Sequence, residues 1–140
     1  MTRISSHVID DPKLTVNGVD ISTAVREVEV KRAFADVEDT SSGDDNEHSA
    51  QGLGSGSFDA TLRQSFDASS VDDVLEPLFM NGTDFTVLVS PTSDAVSDTN
   101  PSWTATCCLR EYSPLAGKMG DLAEVKISFK AQSKITKVIT

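Results

Sequence analysis

Basic residues are scarce in this chain, and so are the side chains that catalysis and metal binding draw on. Its 140 residues hold 12 Lys and Arg against 22 Asp and Glu, a formal charge of −10. That balance argues against a reader of nucleic-acid sequence, which needs a basic patch for phosphates, and against docking on an anionic membrane. It repels nucleic acid, and repulsion can be as useful as attraction; the plain reading is a well-solvated acidic surface. There are two histidines, His7 and His48, both in polar segments, and two adjacent cysteines, Cys107 and Cys108. Neighbours on a strand point to opposite faces, so these thiols are poorly placed to pair, and free thiols suit a reducing compartment. Ligands this few predict no metal centre, no cofactor and no thiol chemistry, and Ser65, Ser69 and Ser70 have no histidine nearby in sequence. No run approaches the ~18 apolar residues of a membrane-crossing helix. Residues 1–9 have Arg3 but neither an apolar stretch nor a small-residue cleavage site, so no secretory signal is read there.

What the chain does have is alternation. Its length suits one domain with one sizeable core, with residues 1–13 read as a flexible leading arm. Leu14-Thr15-Val16, Asn17-Gly18 and Val19-Asp20-Ile21 spell a short hairpin around a type I′ turn. Over 25–37, Val28 and Val30 alternate with Glu27, Glu29 and Lys31, which gives a strand one buried and one wet face. Ala33, Phe34 and Val37 continue it less cleanly. Over 58–66, Phe58, Ala60, Leu62 and Phe66 share a face that Gln64 interrupts. Residues 38–57 between these strands read as a long acidic loop. It carries Glu38, Asp39, Asp44, Asp45, Glu47, His48 and Leu53, no Lys or Arg, and four glycines that suggest little intrinsic order. Loops this long are uncommon in compact domains and are usually functional or disordered; this one is read as an arm that grips a partner. Asp44-Asp45-Asn46-Glu47 offers oxygen ligands for calcium, but not at the spacing of a helix-loop-helix site. Gly52-Leu53-Gly54-Ser55-Gly56 lacks the Lys-Ser/Thr of a phosphate loop.

The period then changes. Val71, Val74, Leu75 and Leu78 sit at helical spacing. Ser70 is placed to cap the helix, Asp72 and Asp73 suit its positive end, and Gly82 suits its stop. Pro77 predicts a kink or an early end. Three alternating strands follow. They hold Phe85, Val87 and Val89; then Trp103, Ala105, Cys107 and Leu109; then Val125, Ile127 and Phe129. Residues 92–101 form a second polar loop. Ile135, Val138 and Ile139 add an edge strand or pack onto a neighbour. The sum is mainly β: an antiparallel sandwich or barrel with one short flanking α-helix and a long hairpin arm.

Taken in order, these pieces resemble the major tail tube protein of long-tailed, siphovirus-like bacteriophages. The resemblance covers about residues 14–134. It rests on Leu14-Thr-Val-Asn-Gly-Val-Asp-Ile21, the strand at 56–66 with Ser70-Val-Asp-Asp-Val-Leu-Glu-Pro-Leu78, Phe85-Thr-Val-Leu-Val-Ser-Pro-Thr-Ser93, Ala95-Val-Ser-Asp-Thr-Asn-Pro101, and Tyr112-Ser-Pro-Leu-Ala-Gly117 before the last strand. It implies a structural virion protein without catalysis, assembled in the host cytoplasm. Six copies form a ring, and rings stack into the tube that conducts DNA into the host. The implied partners are further copies of the chain and the tape measure, tail tip and tail terminator proteins, with no membrane. Duplex DNA passes through without specific binding. The arm, matching 37–57, reaches an adjacent ring or subunit, with Glu38, Asp39, Asp44, Asp45, Glu47, His48 and Leu53 as contact candidates. About two dozen strands at ~4.8 Å spacing, tilted ~40°, close at a backbone diameter near ~48 Å, wide enough for a duplex. The lumen candidates are Glu27, Glu29, Asp59, Thr61, Thr104, Thr106, Glu124 and Ser128. Six copies carry about −60, which would repel phosphate. Lys31, Arg63, Arg110, Lys126 and Lys130 on the same faces either pair with carboxylates across strands or leave the acid mainly outside. The rival readings are a tail terminator or head decoration protein on a similar sandwich, and a ligand- or calcium-binding sandwich with the acidic loop as its site.

Overall fold

Asn17 at φ 51° and Gly18 at φ 82° make the first turn of the chain, as Asn-Gly predicts. The turn joins β1 (Lys13–Val16) to β2 (Val19–Asp20). The structure, a computed structural model, describes residues 6–43, 45–68 and 70–140. The leading arm expected over 1–13 therefore lies partly outside the described residues. Of what is described, residues 6–10 are exposed, and Asp11 already bridges to Thr92.

After a short 3-10 turn (Ser22–Ala24) come β3 (Val25–Glu38) and β4 (Ser49–Arg63), then helix α1 (Val71–Asn81). The chain ends with β5 (Phe85–Ser90), β6 (Ser102–Cys108), β7 (Glu124–Ala131) and β8 (Thr136–Val138). All strand pairings are antiparallel, in the order β2-β1-β5-β6-β7-β4-β3, with β8 on β6.

The corner of the sheet is made by one run of chain. Residues 124–130 of β7 pair with β4, while Lys130 and Ala131 pair with β6, and β8 continues along β6. Two extra residues separate β7 from β8, and there Ser133 Oγ accepts from Thr106 N at 3.0 Å in place of a ladder carbonyl. A strand that changes partners at a bend is how a sandwich turns its corners. The tail thus takes the edge-strand alternative, with Ile135 buried.

The core lies inside this curved sheet. Phe58, Leu62, Val87, Val125 and Phe129 are fully buried, and the Phe85 and Phe129 rings meet edge-on at 5.7 Å. Each such side chain contributes about 1.5–3 kcal/mol by leaving water. Helix α1 adds Val71, Leu75 and Leu78. It runs four residues beyond Pro77, so the early end does not occur: burial of Leu78 offsets the backbone bond that proline cannot make. Gly82 stops it at φ 66°, its N–H donating to Leu78 O. Ser70 precedes the helix without capping it, because its hydroxyl donates back to the carbonyls of Ser65 and Asp67.

Three expected boundaries move. The loop over 38–57 shrinks to 39–48, since Glu38 ends β3 and residues 49–57 belong to β4. The glycines of that stretch are close-approach positions. A Cβ on Gly54 would stand 3.1 Å from the Phe34 ring, and one on Gly56 would stand 2.6 Å from Ile135 Cδ1. Strand β4 also stops at Arg63, and Phe66 is exposed instead of joining the core face. Gln64, the polar lapse in the pattern, has left the sheet: its Nε2 donates to Tyr112 Oη at 3.0 Å and to Pro114 O.

Candidate functional site

Two parts of the molecule are larger than the core requires: the outer half of the β3–β4 hairpin, and the wet face at its base. Strand β4 has β7 as a second neighbour only over 57–63. Beyond that, residues 32–38 and 49–56 pair only with each other. Every residue of 31–38 is exposed, and so are all of 49–55 apart from Gly52, on both faces of the ribbon. Phe34 is 48% exposed, Val37 52% and Leu53 89%. A lone two-stranded ribbon is at best marginally stable in water.

A bulge explains the untidy pattern here. Between Phe34 and Asp36 the register shifts, so Ala35 faces two residues of β4, Gly52 and Leu53. The tip closes through Asp39 N to His48 O at 2.8 Å and His48 N to Thr40 Oγ1 at 2.8 Å. Of the expected contact residues, Glu38 ends β3, Leu53 lies within β4, and Asp39, Asp45, Glu47 and His48 are exposed in the closing turn. Asp44 lies outside the described residues.

At the base, three strands bring most of the lumen candidates together. Register sets Glu27 beside Thr61 and Lys126, Glu29 beside Asp59 and Ser128, and Arg63 beside Glu124. These positions share one face, opposite Val28, Ala60 and Ile127. A shallow cleft of about 840 Å³ crosses it, closed on one side by Ile9, Glu111 and Ser113. Thr104 and Thr106 stand apart on the β5–β6 pair, beside Leu88 and Thr86. Only the pairs Cys107–Ala131 and Cys108–Lys130 join that part of the sheet to β7.

Cross-strand pairing governs the electrostatics of this face. Glu27, Glu29, Asp59 and Glu124 are balanced by Lys31, Arg63, Lys126 and Lys130. Lys31 Nζ lies 3.1 Å from Asp59 Oδ2 and 3.8 Å from Glu29 Oε2. Burial works to raise Asp59, but hydrogen bonds from Ser128 and Lys31 outweigh it and hold the carboxyl below its ordinary 3.8. Arg26 occupies a second bulge, between Val25 and Glu27, and reaches Glu124 at 3.2 Å. Exposed pairs of this kind contribute only about 0–1 kcal/mol each; their effect is to leave this face nearly neutral. Of the cations expected to pair across strands, Lys31 does so, with Asp59. An acidic face is not what these residues make.

The sequence reading missed a second hollow. The core side of the arm's base and the turn after β7 enclose a groove of about 650 Å³, with Arg32, Phe34, Gly54, Gly56, Lys134 and Ile135 among its walls. The one legible signal for it was the acid-free run from residue 125 onward, with Lys126, Lys130, Lys134 and Lys137. Cys107 and Cys108 are free and buried. Among the described residues no three His, Cys, Asp or Glu gather as a metal site. Among the same residues no helix is long and apolar enough to cross a membrane.

Known structures share this architecture. The chain superposes on a subunit of the SPP1 tail tube with a TM-score of 0.76 and 13% identity, over 96% of this chain and 80% of that one. The tail of an empty gene transfer agent particle, with C6 symmetry, gives 0.68 and 14%, over 89% and 92%. The sheath-tube complex of the extracellular contractile injection system PVC gives 0.71 and 10%, over 96% and 93%. No family model and no curated protein matches the sequence. The chain has the fold of the tail tube proteins.

Proposed function

We propose that this chain is the building block of a tail tube: a structural virion protein, without catalysis, that assembles into six-membered rings stacked as a conduit for DNA. One observation carries the reading. The outer hairpin is a bulged two-stranded ribbon with Phe34, Val37 and Leu53 in water and no core of its own. Such a ribbon becomes stable when a neighbouring copy covers it. The shared fold supports the same reading, and the C6 symmetry of the gene transfer agent tail supports the ring number.

In this reading Glu27, Glu29, Asp59, Thr61, Glu124 and Ser128 face the bore, and the arm residues around Glu38 and Leu53 make contacts between copies. Lys31 and Arg26 are already held by carboxylates, and the remaining cations of this face are matched in number by its acids, so few counterions are released to DNA and the duplex slides without sticking. Thr104 and Thr106 complete the bore as far as the β6–β7 junction carries the same face around the corner. The tape measure, tail tip and tail terminator proteins are the other partners in a virion.

Negative-stain electron microscopy of the purified protein across a concentration series tests this. Hollow tubes or stacked rings are the expected outcome. Single rings that never stack would make the chain a terminator instead. Monomers at every concentration, with or without tail-tip initiator, would defeat both readings.

A further inference from the structure

The strongest charge asymmetry in the molecule lies between the tip of the arm and the groove at its base. Residues 33–62 contain no Lys or Arg, and the tip between 36 and 47 holds Asp36, Glu38, Asp39, Asp44, Asp45 and Glu47. The groove contains the opposite. Arg32 and Lys134 stand in its walls, among the described residues no acidic one lines it, and Phe34 and Ile135 supply apolar surface. Lys134 belongs to the acid-free run from 125 to 140. Two glycines of β4 line it, and Phe34 lies close over Gly54 and Ile135 close over Gly56.

We infer that this groove receives the acidic arm tip of a second copy of the chain. The inference rests on the tube reading above and names the acceptor surface for its arm. The chain's own tip is not the occupant: five residues of extended strand carry Asp39 ~17 Å beyond Phe34, away from the groove. The tip brings carboxylates to Arg32 and Lys134, and Val37 and Leu53 to the apolar wall. Tip and groove are different patches, so the contact is head-to-tail. Contacts of that kind propagate into rings or filaments rather than closing as a dimer. Charge complementarity also sets direction, since tip against tip and groove against groove both repel.

Charge reversal in two halves tests it. One variant is Arg32→Glu with Lys134→Glu, the other Glu38→Lys with Asp39→Lys. All four side chains are exposed or line the open groove, and circular dichroism checks that each variant folds. Each alone is expected to need at least a tenfold higher concentration than the unaltered protein to form tubes. Mixed in equal amounts, the two are expected to assemble again at near the original concentration with both present in the tubes, because every junction then finds a complementary partner. Assembly of either variant alone at the original concentration would overturn the inference, as would a mixture that stays dispersed. If the unaltered protein itself never assembles, the tube reading fails first. Should the reversed groove variant misfold, Arg32→Gln with Lys134→Gln replaces it, with a smaller shift in the same direction expected.

Discussion

A methyl group at Gly56 has no room. It would sit 2.6 Å from Ile135 Cδ1 and 2.9 Å from the carbonyl oxygen of Lys31, and the second of these is backbone that cannot step aside. Gly56→Ala is therefore expected to lower stability by about 1–3 kcal/mol, read as a lower urea midpoint at unchanged slope. Composition alone reads such a glycine as flexibility. Its real reason is a contact 79 positions along the chain, and nothing local announces it. Tyr112 makes the same point for polar groups. Its hydroxyl donates to Asp72 Oδ1 at 2.7 Å and accepts from Gln64, tying α1 to the end of β4. Burial, with the Asp72 carboxylate adding to it against the hydrogen bond from Gln64, pushes Tyr112 up to about 12 from 10.0. Burial likewise pushes Cys107 up to about 12 from 9.0. Both groups hold their proton more tightly in the folded chain. The stability this gives is whole below pH 9 and is lost as pH rises toward 12. The urea midpoint should thus stay level through neutral pH and fall above about pH 9. Tyr112→Phe should cost ~1–2 kcal/mol at pH 7 and flatten the upper part of that fall.

At the scale of elements, regular stretches were legible and irregular ones were not. Alternation located β3 to β7, and helical spacing with a glycine stop located α1, because these patterns state which side chains face the core. The bulge at Arg26 lets Val25 and Val28, of opposite parity, both be half-buried. The bulge opposite Ala35 pairs a stretch that reads as loop. A bulge depends on the partner strand, which one strand's sequence does not contain. The arm can be removed along its own register. Replacing residues 35–53 by Asn-Gly joins Phe34 and Gly54, already paired, through a two-residue turn. The expected result is an unchanged far-ultraviolet spectrum, a melting temperature within a few degrees, and no tubes in the microscope. Tubes of ordinary length from this variant would show that the arm is dispensable.

For the whole molecule, net charge was the least informative quantity. The −10 of the chain suggested an acidic bore, yet the face that gathers Glu27, Glu29, Asp59 and Glu124 carries as many cations, and much of the excess acid lies on the arm tip. Which face points inward in the tube can be read by chemistry. Both native cysteines are buried, so background labelling is low. In assembled tubes, Ser128→Cys should react with a small maleimide and resist one carried on a large polymer. Equal reaction with both would put Ser128 on the outside and move the bore to another face.

The exposed arm also sets a lifetime. In a free subunit, residues 32–38 and 49–55 pair only with each other, and all but Gly52 are exposed. A protease meets that ribbon before any other regular part of the chain. Once a neighbour covers it, the same segment is shielded. In the proposed tube, a brief protease digest should therefore cut the arm of free subunits and spare that of assembled ones, and so report how much of a sample has been built in.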